Sequence, residues 1–173
     1  MYDVLGFSMT RNGVFYALPF LSSFLAMPVY STLVDWLRSP GRLSTTVVRK
    51  AFCVVGFTLS GGLLIVTGYI GCDRTVAVAT LFAVVACMCL PVPSIHVNPL
   101  DLAPLHAGKI MGLTYTVAIL GTIAGPMAVG ALTYERSTRE DWQKVFFLAA
   151  GIYAVGALVF LVFGSGERQG WSE

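Results

Sequence analysis

Five stretches of the sequence hold no Asp, Glu, Lys or Arg: Gly13–Val34, Ala51–Cys72, Thr75–Leu100, Ile110–Tyr134 and Val145–Gly166. Each reaches or passes the ~20 residues that a helix needs to cross ~30 Å of hydrocarbon. In lipid every backbone N–H and C=O must be paired inside the protein, which leaves helices or a closed barrel. A barrel would show ~10-residue segments of alternating polarity, whereas these runs are solidly apolar. The expected class is therefore all-α: a polytopic membrane protein with five transmembrane helices at about 13-36, 50-71, 75-97, 108-133 and 144-164, a loop over 35-50 and a tail over 165-173. The third span is the weakest, because Pro91 and Pro93 must break it or end it early.

Composition excludes the main alternatives. Only 12% of residues are charged, about half the usual share in soluble domains, and the mean hydropathy is +0.77. That rules out a disordered tail and a basic nucleic-acid binder, and leaves too little polar surface for a water-soluble enzyme. Eighteen glycines and eight prolines suit membrane helices, which tolerate both. Met1–Gly6 lacks a basic region followed by a short apolar core, so it does not read as a signal peptide. The first 12 residues read as a loop.

Lys and Arg in loops set the orientation. Arg38, Arg42, Arg49 and Lys50 share a side with Lys109 and Arg168, against Arg11, Arg74, Arg136, Arg139 and Lys144 on the other. The dense first loop decides a near-even division, placing itself and the C-terminus in the cytoplasm. Cys87 and Cys89, two apart, fall on different helix faces; Cys53 is expected to be buried and Cys72 to end a helix. There is no CxxC, HExxH, Walker loop or glycosylation sequon, hence no expected cofactor or metal site. No nucleophile–base pair appears either, so an enzyme is disfavoured.

Ionisable groups at membrane depth mark function by default, and among them only His96 approaches a span interior. Imidazole titrates near neutral pH; the alternative is a helix-end histidine bonded to a carbonyl. It lies in Pro91–Asp101, where three prolines within nine residues free carbonyls and let Ser94, His96 and Asn98 face a cavity. Irregular backbone at this depth is tolerated where it lines water or is buried in protein. A plain helix end followed by a loop is the competing reading.

In the fourth span Gly108-x-x-x-Gly112 and Gly121-x-x-x-Gly125 set small residues on one face for close packing, with Pro126 able to kink the helix. Thr114, Tyr115, Thr116 and Thr122 offer hydroxyls to other helices or to a substrate. Asp35 falls at a helix C-terminus, where the macrodipole disfavours an anion, and Arg38 three residues on is the expected compensating charge. Ser44, Thr45 and Thr46 can cap the next helix.

Ser31-x-x-x-Asp35-x-x-Arg38 resembles the rim motif of the major facilitator superfamily, with Arg42 just beyond it. Leu43–Lys50, Val97–Pro104, Ala107-Gly-x-x-Met-Gly112, Trp142–Phe146, Ala149–Tyr153 and Phe163–Glu167 with Gln169 and Trp171 are more specific. Together they resemble the family of sialin, the vesicular glutamate transporters and the sodium–phosphate cotransporters (solute carrier family 17), along essentially the whole chain. The resemblance implies a partial C-terminal half of a twelve-helix bundle, helices eight to twelve, and hence a fragment or truncated form. It also implies transport of a small anion (sialic acid, acidic amino acid or phosphate class) coupled to H⁺ or Na⁺, in a plasma, lysosomal or vesicular membrane. On this reading Ser94, His96, Asn98 and Tyr115 line the cavity while Asp35, Arg38 and Arg42 form the gate. The family's main anion-coordinating arginines and its coupling groups would lie outside this chain. Three positions depart from the family: Pro99 stands where Asn-His-Leu-Asp has its histidine, Ser31 replaces the usual Gly, and Leu105 replaces a frequent Arg. The second expected role is a non-transporting membrane protein that binds a full-length transporter through exposed helix faces.

Overall fold

The structure is a computed structural model that describes residues 9–39, 43–70, 74–134 and 138–167. Among these residues it is helical throughout, without strands. Helices α1 (Met9–Leu37), α2 (Thr45–Tyr69), α3 (Arg74–Met88) and α4 (Val92–Leu102) are followed by a 3₁₀ turn (Pro104–His106), then α5 (Ala107–Thr133) and α6 (Arg139–Phe163). Five helical segments among the described residues are long and apolar enough to cross a membrane, with α3 and α4 sharing the third. Large apolar side chains are exposed along every span, Phe24 at 73% and Phe163 at 80%. Such a surface fits lipid.

Two helix starts lie earlier than the charge pattern placed them. Residues 9–12 belong to α1 rather than to a loop. Helix α6 begins at Arg139, not near 144, because a capping box starts it. Asp141 N–H donates to Thr138 Oγ1 (3.4 Å), and Thr138 N–H donates back to Asp141 Oδ2 (3.2 Å). The first turn can then carry Glu140, Asp141 and Lys144 outside the hydrocarbon, with acids at the positive end of the dipole. Lys144 Nζ also bonds Asp141 Oδ1 at 2.9 Å. At α2 the cap is Ser44, whose Oγ accepts from Val47 N–H.

The proline-rich segment is helical, which corrects the expectation of irregular backbone. Pro91 is the N-cap of α4 and Pro93 lies in its first turn, where no N–H is needed and the fixed φ suits the helix. The break is confined to residues 89–91, held by Cys89 N–H→Ala86 O, Leu90 N–H→Cys87 O and Val92 N–H→Cys89 O. Only Pro99 falls inside α4.

Helices α2 and α6 form the tightest pair. Gly61 faces the Ala150 carbonyl, Gly156 faces the Phe57 ring, and Phe57 stacks on Tyr153 with centroids 5.8 Å apart. Both ends are bonded. Gln143 Nε2 donates to Gly68 O (2.7 Å) and Arg139 Nη2 to Tyr69 O (2.9 Å), satisfying carbonyls that end α2 without intrahelical partners. At the other end Gly166 N–H donates to Thr46 Oγ1 (3.0 Å). Gln143→Ala is expected to cost about 1 kcal/mol, read as a lower thermal midpoint in detergent. The buried centre of the bundle includes Val34, Val48, Cys53, Ser60, Pro91 and Ser94. Cys53 is buried as expected, while Cys72 and the tail beyond 167 lie outside the described residues.

Candidate functional site

Charge gathers at the end of the bundle where α1, α2 and α4 meet. Arg49, in the first turns of α2, donates through Nε (3.0 Å) and Nη2 (2.8 Å) to Asp101 Oδ2. Its Nη1 donates to the Pro93 carbonyl. Arg38 Nη2 reaches Asp101 Oδ1 at 3.1 Å. The Arg49 side chain is only 3% exposed, against 15% for Asp101 and 27% for Arg38. Asp101 therefore carries two guanidiniums, one of them out of water.

This arrangement corrects the expected pairing of Asp35 with Arg38. Helix α1 ends at Leu37, so Arg38 lies in the following turn, and the i,i+3 geometry of a helix face no longer applies. The turn directs Arg38 to Asp101, and Asp35 stays exposed, its carbonyl accepting from Ser39 Oγ at 3.4 Å. Arg42 lies outside the described residues. Sequence reasoning missed Arg49 and Asp101 as a pair. The signal was present: the loops holding Arg49 and Asp101 fall on the same side of the membrane in the span count, and an acid at a span boundary needs a counter-charge.

The four expected cavity residues separate onto two faces of α4 and one of α5. Ser94 is fully buried and Asn98 partly so, and neither Ser94 Oγ nor Asn98 Oδ1 has a hydrogen-bond partner. They are four residues apart, about one turn, so they share the inward face. His96, between them, points the other way and is exposed. There its Nδ1 pairs with the Tyr115 hydroxyl of α5, with ring centroids 5.6 Å apart. His96 is thus bonded to a hydroxyl and not to a carbonyl. Ser94 is enclosed by protein and lines no open surface, whereas His96 and half-exposed Tyr115 form a polar pair on an otherwise apolar face. Imidazole and phenol side by side can donate to an anion and exchange a proton.

Other hydroxyls of the fourth span turn inward on their own helix. Thr114, Thr116 and Thr122 donate to the carbonyls of Ile110, Gly112 and Ala118 at 2.8, 2.8 and 3.2 Å, the i−4 back-bonding that apolar surroundings favour. Among the described residues they reach no second helix. Gly108, Gly112, Gly121 and Gly125 likewise meet no neighbour among the described residues: a Cβ on any of them would find nothing within 4 Å. Pro126 lies inside α5, which continues to Thr133.

No family model matches the chain. Over 171 residues, 99% of its length, the chain is 37% identical to vesicular glutamate transporter 2 of Homo sapiens. The same extent is 37% identical to vesicular glutamate transporter 1 of Xenopus tropicalis. Sialin of Homo sapiens is 36% identical over 174 residues, again 99% of the chain. The chain covers 29% of the first two relatives and 34% of the third, so it spans about a third of the length of the curated relatives it matches.

Proposed function

We propose, from the premise that this chain belongs to the family of the vesicular glutamate transporters and sialin, that it forms part of the path by which a small anion crosses a membrane. The substrate class is an acidic amino acid, a sialic acid or phosphate, moved by alternating access and driven by H⁺ or Na⁺. The carrying observation is the His96–Tyr115 pair on the exposed face of α4 and α5, within the stretches Thr75–Leu100 and Ile110–Tyr134 that hold no Asp, Glu, Lys or Arg. Asn98, half a turn from His96 and so on the inward face of α4, adds a buried amide oxygen without a hydrogen-bond partner among the described residues. The cluster of Arg38, Arg49 and Asp101 serves as the rim latch, with Asp35 and Arg42 beside it in sequence. The rim lies on the cytoplasmic side, in a vesicular, lysosomal or plasma membrane, and the protein acts as a transporter and not as an enzyme.

The test places this segment, in place of the corresponding one, in human sialin and follows uptake of labelled glutamate, sialic acid and phosphate into proteoliposomes. Asn98→Ala is expected to lower uptake about tenfold, the loss of one or two hydrogen bonds to a charged substrate, with the chimera still reaching the membrane. Uptake kinetics unchanged by the substitution sink the site assignment.

A second reading follows from α5, whose glycine face is bare among the described residues. Small residues at four-residue spacing let another helix approach closely, so the chain is also suited to associate with a full-length transporter. Co-purification of the two from one membrane supports this role, and a monodisperse chain that never binds the relative counts against it.

A further inference from the structure

Helix α4 is a short element cut from α3 by the turn at 89–91. Its own ladder is incomplete, because Pro99 has no N–H for the Ile95 carbonyl. Something outside α4 has to hold it. At its start Pro91 rests on Gly56, where a Cβ would lie 2.4 Å from the proline Cδ. Beyond that point one side chain touches both ends: the Arg49 guanidinium bonds the Pro93 carbonyl in the first turn and the Asp101 carboxylate in the last. Residues Ser94, His96 and Asn98 lie between those two points.

We propose that Arg49 is a positioning residue that clamps α4 to α2 along its whole length and so couples the rim cluster to the stretch of α4 that carries Asn98 on its inward face and His96 on its exposed one. The coupling deepens the transport reading, on which its purpose rests; the clamp itself rests on the contacts alone. A guanidinium presents Nε, Nη1 and Nη2 in a fixed plane, so a displacement of Asp101 is carried to Pro93 through a rigid fork. A lysine ammonium, a flexible point charge, does not link the two ends in this way. Arg38 differs: it comes from the turn after α1, is more exposed, and among the described residues its side chain reaches Asp101 alone. When Arg38 withdraws, α4 stays with α2, and α2 is fastened to α6 at both ends. The rim then opens between α1 and the α2–α4–α6 unit.

Hydrogen–deuterium exchange of the full chain in lipid nanodiscs reads the clamp directly. In Arg49→Lys, which keeps the charge on Asp101, amides of 94–98 are expected to exchange about tenfold faster than in the wild type, with α6 amides unchanged. In Arg38→Gln the same stretch stays within about twofold of wild type and only 100–102 speeds up. Wild-type protection of 94–98 in Arg49→Lys overturns the proposal, and so does equal loss in the two variants. If Arg49→Lys does not fold, Arg38→Gln decides alone: retained protection of 94–98 supports the clamp and general loss there overturns it. The readout needs no substrate. A chain that shows this pattern but whose chimera transports nothing defeats the transport reading and leaves the clamp standing, and the converse result does the reverse.

Discussion

Asp101→Ala is expected to cost about 3–5 kcal/mol of stability, the loss that follows when one partner of a buried ion pair is removed and its counterpart stays buried. Arg49 is the stranded partner, with a side chain 3% exposed and two of its three described donor contacts on the lost carboxylate. Arg38 adds less, because at 27% exposure it can turn to solvent, and Arg38→Gln should cost no more than about 1 kcal/mol. Thermal unfolding in detergent, followed by loss of the monodisperse fraction, measures both. An Asp101→Ala chain that melts with the wild type would show that Arg49 is not held by this carboxylate.

Gly56→Ala is the second large effect. The added methyl carbon would lie 2.4 Å from Pro91 Cδ and 2.9 Å from Leu90 Cβ. A proline ring at a helix N-cap cannot rotate away as the end of a long side chain does, so the backbone of the α3–α4 turn must shift. Overpacking of this kind costs about 1–3 kcal/mol, occasionally more. The ~1 kcal/mol that alanine gains over glycine in a helix offsets only part of it. Gly62→Ala is the control, since a Cβ there meets nothing within 4 Å and keeps the propensity gain. Equal thermal midpoints for the two variants would mean that the turn does not rest on α2.

How much of this was legible in the sequence depended on the range of the interaction. The five spans were plain because hydrocarbon excludes charge, and runs such as Val145–Gly166 record that exclusion residue by residue. Helix α4 was misread because prolines were weighed by number and not by position: at the N-cap and first turn they start a helix, and only Pro99 interrupts one. Arg38 was picked out but paired locally with Asp35, since chain proximity is visible in a sequence and a contact 63 residues away is not. Ser94 and His96 were grouped by composition, yet two residues on a helix face opposite ways, one into the core and one out of it. The hydroxyls of Thr114, Thr116 and Thr122 were offered to other helices or to a substrate; apolar surroundings turn them to their own carbonyls.

The double fastening of α2 to α6 bears on how the molecule meets bilayers of different thickness. Each helix has 25 residues, of which the charge-free parts, Ala51–Tyr69 and Val145–Phe163, rise about 28 Å, close to the thickness of a ~30 Å hydrocarbon layer, so a thinner one is met by tilt. Two rods joined at top and bottom cannot slide past one another to shorten, so the pair tilts as a single strut with one common angle. Helix α5 touches α6 and α4 but shows no such fastening at both ends among the described residues, and its inclination is not tied to that of the strut. A thinner membrane therefore leaves the strut's internal geometry intact and changes the angle between it and α5, which is the angle that sets how closely His96 and Tyr115 approach.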